Sequence, residues 1–340
     1  MQFTRSRGLR VGAVLAGSIA LTSCSASETP AASDDSYSFA VLLASSENGY
    51  NQAFAEGIQK YADTLDADID ITVLNGGFNS DEQLAQLETA GTGDTYDGIL
   101  LMPNDGVSIA AGFPLANGIP VVVGLNPVGP DISEMEPQVE GVISTIAQDP
   151  AVGATKQAEA AAEYCADIDP CKVALVVGQL NTALDVSRED AFKEVLGQYD
   201  NIQIVGTYEG LYDPDTSASA ISNVLQAHPD LNVVLSNADQ QTEGAQIALE
   251  DAGIDPADVF LVGGGGTQTA IEKTREGIWG FEYINFPVSQ GEKAMEQLWK
   301  HLQGEEVETW IDTDTIGEIP SYVTTEDLSE YPDYTGEWVG

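Results

Sequence analysis

About ten times along this chain, a short apolar run is followed by a stretch whose apolar residues recur every three or four positions. That alternation restricts the fold more than any other feature. A run that is apolar at consecutive positions suits a parallel strand, which is covered on both faces and need not alternate. The three-four spacing is the stripe of a helix lying on a sheet. Strands alternating with helices of this length build right-handed βαβ units and a parallel α/β sheet. The first unit is the one the rest is organised around. Phe39, Ala40, Val41, Leu42 and Leu43 read as a strand, a polar turn spans 45–49, and Phe54, Ile58, Tyr61 and Leu65 form the helix stripe. Open parallel sheets bind ligands beyond the carboxyl ends of their strands, where this unit delivers Asn48, Tyr50 and Asn51. An amide, a phenol ring and a second amide suit a neutral, hydroxyl-rich small molecule.

Further strands are expected at 69–74, 96–102 and 118–123, with helices at 81–89 and 109–116. Residues 128–139 are rich in Pro and Glu and read as a loop, and the chain is expected to cross to a second group of elements near 142–146. There, strands at 173–177, 202–205, 233–236, 259–262 and 279–284 alternate with helices at 152–165, 184–196, 216–227, 243–251, 269–276 and 288–303. Periodicity leaves open whether these units form one large sheet or two lobes.

Charge narrows the function classes. The chain carries 55 acidic and 12 basic residues, a formal net charge of -43. Nucleic acid and anionic membrane surfaces need clustered Lys and Arg, so neither is expected as a partner. Residues 1–23 read as an export leader: Arg5, Arg7 and Arg10 precede an apolar stretch at 11–21 that is too short to span a bilayer stably. It ends in Leu21-Thr22-Ser23-Cys24, which resembles the lipobox of bacterial lipoproteins and implies a lipid on Cys24, holding the protein to the outer face of the cell membrane. Residues 24–38, small and acidic, read as a flexible tether. In an exported chain Cys165 and Cys171 are expected to form a disulfide. Two Cys without a nearby His give no metal ligand set, and neither a metal nor a cofactor is expected.

Gly263-Gly264-Gly265-Gly266 follows a strand and opens a helix, but it lacks the Gly-Lys-Ser/Thr of a P-loop and lies far from the first βα unit. A close-approach turn at the cleft is expected there instead. The two histidines, His228 and His301, lie away from the strand ends, and there is no nucleophile elbow or His-Glu-x-x-His run. Ser-His-Asp or metal-hydrolase chemistry therefore has little to build on.

Several phrases together carry a family resemblance: TYDGILLMPND at 95–105, NGIPVV at 117–122, KVALVVG at 172–178 with Arg188, and HPDLNVV at 228–234. With Asp239, Gly244-Ala245 and the strand end Leu261-Val262-Gly263, their order resembles the type I periplasmic sugar-binding proteins over residues 39–322. The nearest pattern is that of ribose-binding-type receptors of ABC importers. This resemblance implies two doubly wound, Rossmann-like α/β lobes with parallel sheets. One spans 39–146 plus 286–315, the other 147–285 plus 316–340, with three crossings placed at 125–146, near Asn285 and near Ile316. Ligand would sit between lobes that close by hinge motion.

The resemblance also implies roles. Asn48 stands where the family contacts a sugar hydroxyl and Tyr50 where a ring stacks on the sugar; Asn51 takes a second aromatic position, a departure. Arg188 stands where a guanidinium donates from the second lobe, Tyr212 near a second-lobe aromatic, and Asp239 and Asn285 where the family has Asp and an amide. Leu125 and Asn126 replace an Asp-Arg pair, and Gly265 replaces a last-strand Asp, so the ligand is expected to differ from ribose. Asn104, Asp105, Asn126, Asn181, Asp185 and Gln240 lie at comparable strand ends as substitutes, and Asp185 also suits orienting Arg188 three residues on.

The whole implies a monomeric solute-binding lipoprotein, not an enzyme, that delivers a small carbohydrate or polyol to an ABC permease. Arg188 keeps an anionic or amine-bearing metabolite in play, because guanidinium also captures carboxylates. A ligand-sensing subunit for a membrane kinase is the rival role. A DNA-binding repressor of this fold would need a helix-turn-helix that residues 25–38 cannot form.

Overall fold

The computed structural model describes residues 36–340. The leader, Cys24 and most of the expected tether lie outside the described residues. The first sheet contains β1 (Ser36–Leu43), β2 (Asp68–Asn75), β3 (Gly98–Leu101), β4 (Val121–Leu125), β5 (Val142–Ala147) and β11 (Trp310–Ile311). Their order is β11-β5-β4-β3-β1-β2 and every pairing is parallel. The second contains β6 (Cys171–Val177), β7 (Ile202–Glu209), β8 (Val233–Ser236), β9 (Phe260–Gly265), β10 (Phe281–Ile284) and β12 (Tyr322–Val323), in the order β12-β10-β9-β8-β6-β7. Only the β10–β12 pairing there is antiparallel.

Helices α1 (Gly49–Ala62), α2 (Ser80–Thr92) and α9 (Pro287–Leu302) cover the first sheet, with the one-turn α3 (Gly106–Ile109). Helices α4 (Pro150–Tyr164), α5 (Ala183–Leu196), α6 (Pro214–Ala227), α7 (Asp239–Asp251) and α8 (Gln268–Arg275) cover the second, with the short α10 (Thr325–Leu328). Burial on both faces explains the continuously apolar strands. Phe39, Val41 and Leu43 pack with Phe54, Ile58, Met295 and Leu298 on one side. Ala40 and Leu42 pack with Leu87, Ile109 and Phe113 on the other. Helices α1 and α9 touch backbone to backbone: a Cβ on Gly57 would lie 2.0 Å from the Val288 carbonyl, and one on Gly291 2.0 Å from that of Phe54.

Two expectations need correction. Strand β1 starts at Ser36, because Ser36, Tyr37 and Ser38 pair with Asp68, Ile69 and Asp70, and Tyr37 packs edge-on against Trp299 at 5.0 Å. The last three residues of the expected tether are therefore strand. The segment 142–146, expected as a crossing, is β5 of the first sheet. Its polar Ser144 and Thr145 hid it from an apolar-run criterion, and both are held to the chain leading into β11: Ser144 Oγ donates to the Glu308 carbonyl at 2.7 Å and Thr145 N to that of Thr309 at 2.9 Å.

The chain passes between the sheets after β5, after β10 and between β11 and β12. Residues from all three passages meet in one cluster. Gln148 Nε2 donates to the Tyr322 hydroxyl at 3.0 Å and to Asp314, the Tyr283 hydroxyl donates to Gln148, and the Tyr322 hydroxyl donates to Asp314 at 2.5 Å. The Tyr283 and Tyr322 rings stack at 5.0 Å. Cys165 and Cys171 are bonded, fully buried, at the amino end of β6.

Candidate ligand-binding site

The carboxyl ends of both sheets face one cleft. On the first lobe, Asn48 caps α1: its Oδ1 accepts from Asn51 N at 3.2 Å and from Asn51 Nδ2 at 3.0 Å, while Asn51 Oδ1 accepts from Ser45 N at 3.3 Å. The Asn48 amide nitrogen is left for a ligand. The Tyr50 hydroxyl accepts from Gln290 Nε2 at 2.8 Å and retains its own proton to donate. Burial pushes its pKa up, so that proton stays.

On the second lobe the turn after β6 leads to Thr182, which caps α5, and α5 carries Asp185 and Arg188. Asp185 is a hub. Its carboxylate accepts from Gln179 N at 2.7 Å, Arg188 Nη1 at 3.1 Å, Asn237 Nδ2 at 3.1 Å and the Tyr212 hydroxyl at 2.7 Å. Arg188 Nη1 also lies 3.3 Å from the Tyr212 oxygen, and its side chain is 12% exposed. Burial works against the Arg188 charge, but Tyr212 and Asp185 outweigh it and hold the pKa above its usual value. Asp185 therefore does orient Arg188.

Between the lobes lies a cavity whose empty space, open solvent at its mouth included, is about 620 Å³. Of the expected contacts, Asn48, Tyr50, Asn51, Arg188, Tyr212 and Asn285 line it, as do Asn104, Asp185 and Gln240. Among the described residues Gln240 and Asn285 make no side-chain hydrogen bond to the protein, so both amides are open to a ligand. Four expected residues are not in the wall. Asp105 caps α3, accepting from Val107 N at 3.0 Å and Ser108 Oγ at 2.5 Å. Asn126 is fully buried and donates to the Pro103 carbonyl at 3.1 Å. Asn181 is exposed on the surface. Asp239 lies behind the wall, accepting from Thr267 N at 2.7 Å.

Asp239 faces Glu282, and both carboxyls are buried to within 2%. Glu282 accepts from Gly266 N at 2.9 Å. Burial, then the neighbouring Asp239 carboxylate, raises the Glu282 pKa well above the carboxylate range; burial likewise raises that of Asp239. Glu282 Oε2 and Asp239 Oδ1 are both buried with no other hydrogen-bond partner, and the raised pKa favours the neutral acid at Glu282. The pair flanks Gly263, where a Cβ would lie 2.3 Å from Glu282 Oε2 and 3.0 Å from Asp239 Oδ1. Gly263, Gly264 and Gly265 accordingly belong to strand β9, and only Gly266 lies past its end. The glycine run makes room for buried carboxyls, not for a phosphate.

Phe78, Gln179, Asn237 and Trp338 line the cavity without having been expected there. Phe78 of the first lobe stacks on Tyr212 of the second at 5.8 Å, and Gln179 Nε2 donates to Asn104 Oδ1 at 3.4 Å across the same gap. Tyr50 instead meets Trp338 edge-on at 5.6 Å. Phe78, Leu125 and Tyr212 hold φ of 54°, 71° and 56°, a left-handed conformation that costs a non-glycine residue about 1–3 kcal/mol and clusters at ligand sites. The site combines amides, phenols, one compensated charge pair and aromatic surface. Among the described residues no cluster of His, Cys, Asp or Glu is arranged to hold a metal ion. Such a site can hydrogen-bond hydroxyls and cover C–H faces.

Two α/β lobes closing on a cleft at their strand ends define the type I fold of periplasmic binding proteins. The sequence profile described as "Periplasmic binding protein domain" matches residues 39–306, and the chain belongs to that family. It is similar to the ribose import binding protein of Salmonella typhimurium, 25% identical over 273 residues covering 79% of this chain and 86% of that protein. Among solved structures it is similar to an ABC transporter periplasmic solute binding protein from Actinobacillus succinogenes with bound D-allose, with TM-score 0.74, 22% identity and coverage of 87% and 100% of the two chains. A solute binding protein from Agrobacterium vitis with bound D-fucose gives TM-score 0.75, 20% identity and coverage of 88% and 99%.

Proposed function

We propose that this protein captures a small neutral carbohydrate or polyol between its lobes, outside the cytoplasm, and delivers it to an ABC importer. The observation that carries the reading is the cavity itself: open amides at Asn48, Gln240 and Asn285, with the one guanidinium already matched by Asp185. An anionic ligand at Arg188 would face the Asp185 carboxylate as well, which disfavours it. The sugar-binding relatives support the same class, and the chemistry is capture, not turnover. The test is a thermal unfolding screen against D-ribose, D-allose, D-fucose and myo-inositol, with D-galacturonate as the anionic comparison. A ligand at about 1,000 times its Kd adds about 4 kcal/mol of stability. A melting shift with a neutral member is expected, and a shift with the acid alone would overturn the neutral reading.

Leu21-Thr22-Ser23-Cys24 supports a lipid on Cys24 that anchors the protein to the outer face of the membrane. Among the described residues no helix is long and apolar enough to cross a membrane. Stable anchoring takes more than one acyl chain. Cys24→Ser is expected to release the protein from membranes or block its processing, and an unmodified Cys24 in the intact mass of membrane-derived protein would refute the anchor.

A further inference from the structure

We propose that residues 336–340 complete the binding site: they set Trp338 as an aromatic wall of the cleft and clasp the two lobes around its indole. The segment lies beyond the residues that the family profile matches, which end at 306. On the second lobe it runs beside the end of β9. Gln268 N donates to the Trp338 carbonyl at 2.9 Å, and Trp338 Nε1 donates to the Gly265 carbonyl at 2.9 Å. On the first lobe, the Glu337 carboxylate accepts from Val288 N at 2.9 Å, from Ser289 N at 3.1 Å and from the Ser289 hydroxyl. These are the free donors of the first turn of α9, which Phe286 at the cap position leaves unserved.

The indole sits between two glycines, one from each lobe. A Cβ on Gly49 would come 3.1 Å from Trp338 Cζ3, and one on Gly265 would come 3.0 Å from Cζ2. Its outer surface packs on Ala53 and Val288 and meets Tyr50 edge-on. Trp338 is 4% exposed and lines the cavity. Its single donor is spent on Gly265, so it offers a ligand only ring surface. A hydroxyl pressed there would go unpaired, at a cost, whereas a C–H face is covered. The wall therefore selects a ligand with hydrocarbon on that side, a point that rests on the carbohydrate reading of the cleft. The clasp does not rest on it: parting the lobes requires the segment to leave one of them.

Two measurements test this separately. Without ligand, small-angle scattering of Trp338→Ala and Glu337→Ala is expected to show a larger radius of gyration than the wild type, since the first removes the indole held at Gly265 and the second the acceptor at the start of α9. Superimposable profiles for wild type and both variants would overturn it. With D-ribose, D-allose, D-fucose and myo-inositol as probes, the wild type is expected to change its tryptophan emission on binding. Trp338→Phe is expected to lose that change, and Trp310→Phe, at an exposed edge, to keep it. Trp338→Ala is expected to lower affinity by about tenfold or more. An emission change retained in Trp338→Phe, or wild-type affinity in Trp338→Ala, overturns the wall. Failure of every probe to bind the wild type would instead refute the carbohydrate reading, and the scattering would still decide the clasp.

Discussion

Arg188→Ala is expected to weaken sugar binding by about 2–3 kcal/mol, roughly 30- to 150-fold, and to destabilise the ligand-free protein as well. The binding loss follows from removing a donor fork that the cavity has in no other residue, leaving ligand oxygens unpaired. The stability loss has a different origin. Asp185 is 1% exposed, and without the guanidinium its charge is buried with only neutral donors around it. Breaking a buried pair from one side costs about 3–5 kcal/mol, and the Tyr212, Asn237 and Gln179 donors put this case at the low end of that range. Replacing both charges, Arg188→Met with Asp185→Asn, is expected to recover part of the stability but not affinity, because the amide oxygen still accepts from the neutral donors without a buried charge. Urea unfolding and calorimetry on the single and double variants separate the two effects. A single variant that binds as the wild type does would place the ligand elsewhere.

Glu282→Gln is expected to flatten the pH dependence of stability. In the wild type the Glu282 pKa in the fold is raised well above the unfolded value, by burial and then by Asp239. A raised pKa gives stability that is fully present below the unfolded value, about 4.3, and is lost as pH rises through the folded value. In that window the wild type loses up to about 1.4 kcal/mol per pH unit. The amide introduced by the substitution would still accept from Gly266 N and would donate to Asp239 without needing a proton. As pH rises from the unfolded carboxylate value, melting temperatures are expected to fall more steeply for the wild type than for the variant, which keeps only the smaller contribution of Asp239 at this pair. Parallel curves would mean that the proton is not held there.

The strand ends were legible in the sequence, but the direction in which each side chain points was not. Asn104 and Asp105 were both expected in the wall, and of the two only Asn104 lines it. Asp239 and Gln240 were both expected, and only Gln240 lines the cavity; Asn126 was expected, and Leu125 lines it. Each of these misses lies one residue from a wall residue: a single step turns a side chain to the opposite face in extended backbone, as at Asp105, and about 100° round a helix, as at Asp239 in α7. Apolar runs and helix stripes marked most elements because both sheet faces are buried. Polar β5, and the two-residue β11 and β12, carry no such pattern. Two lobes rather than one sheet could be read only from the family resemblance. Trp338 left no signal at all: its place depends on pairing with Thr267, about seventy residues away, and no local period reports a contact of that kind.

Titration calorimetry of the wild type against D-ribose, D-allose, D-fucose and myo-inositol, with D-galacturonate beside them, tests the cleft as a receptor for neutral carbohydrate most directly. One neutral sugar or polyol binding one-to-one, more tightly than the acid and with an affinity that Arg188→Ala lowers, is the expected result. Binding of the acid alone, or of a sugar whose affinity Arg188→Ala leaves unchanged, would contradict it.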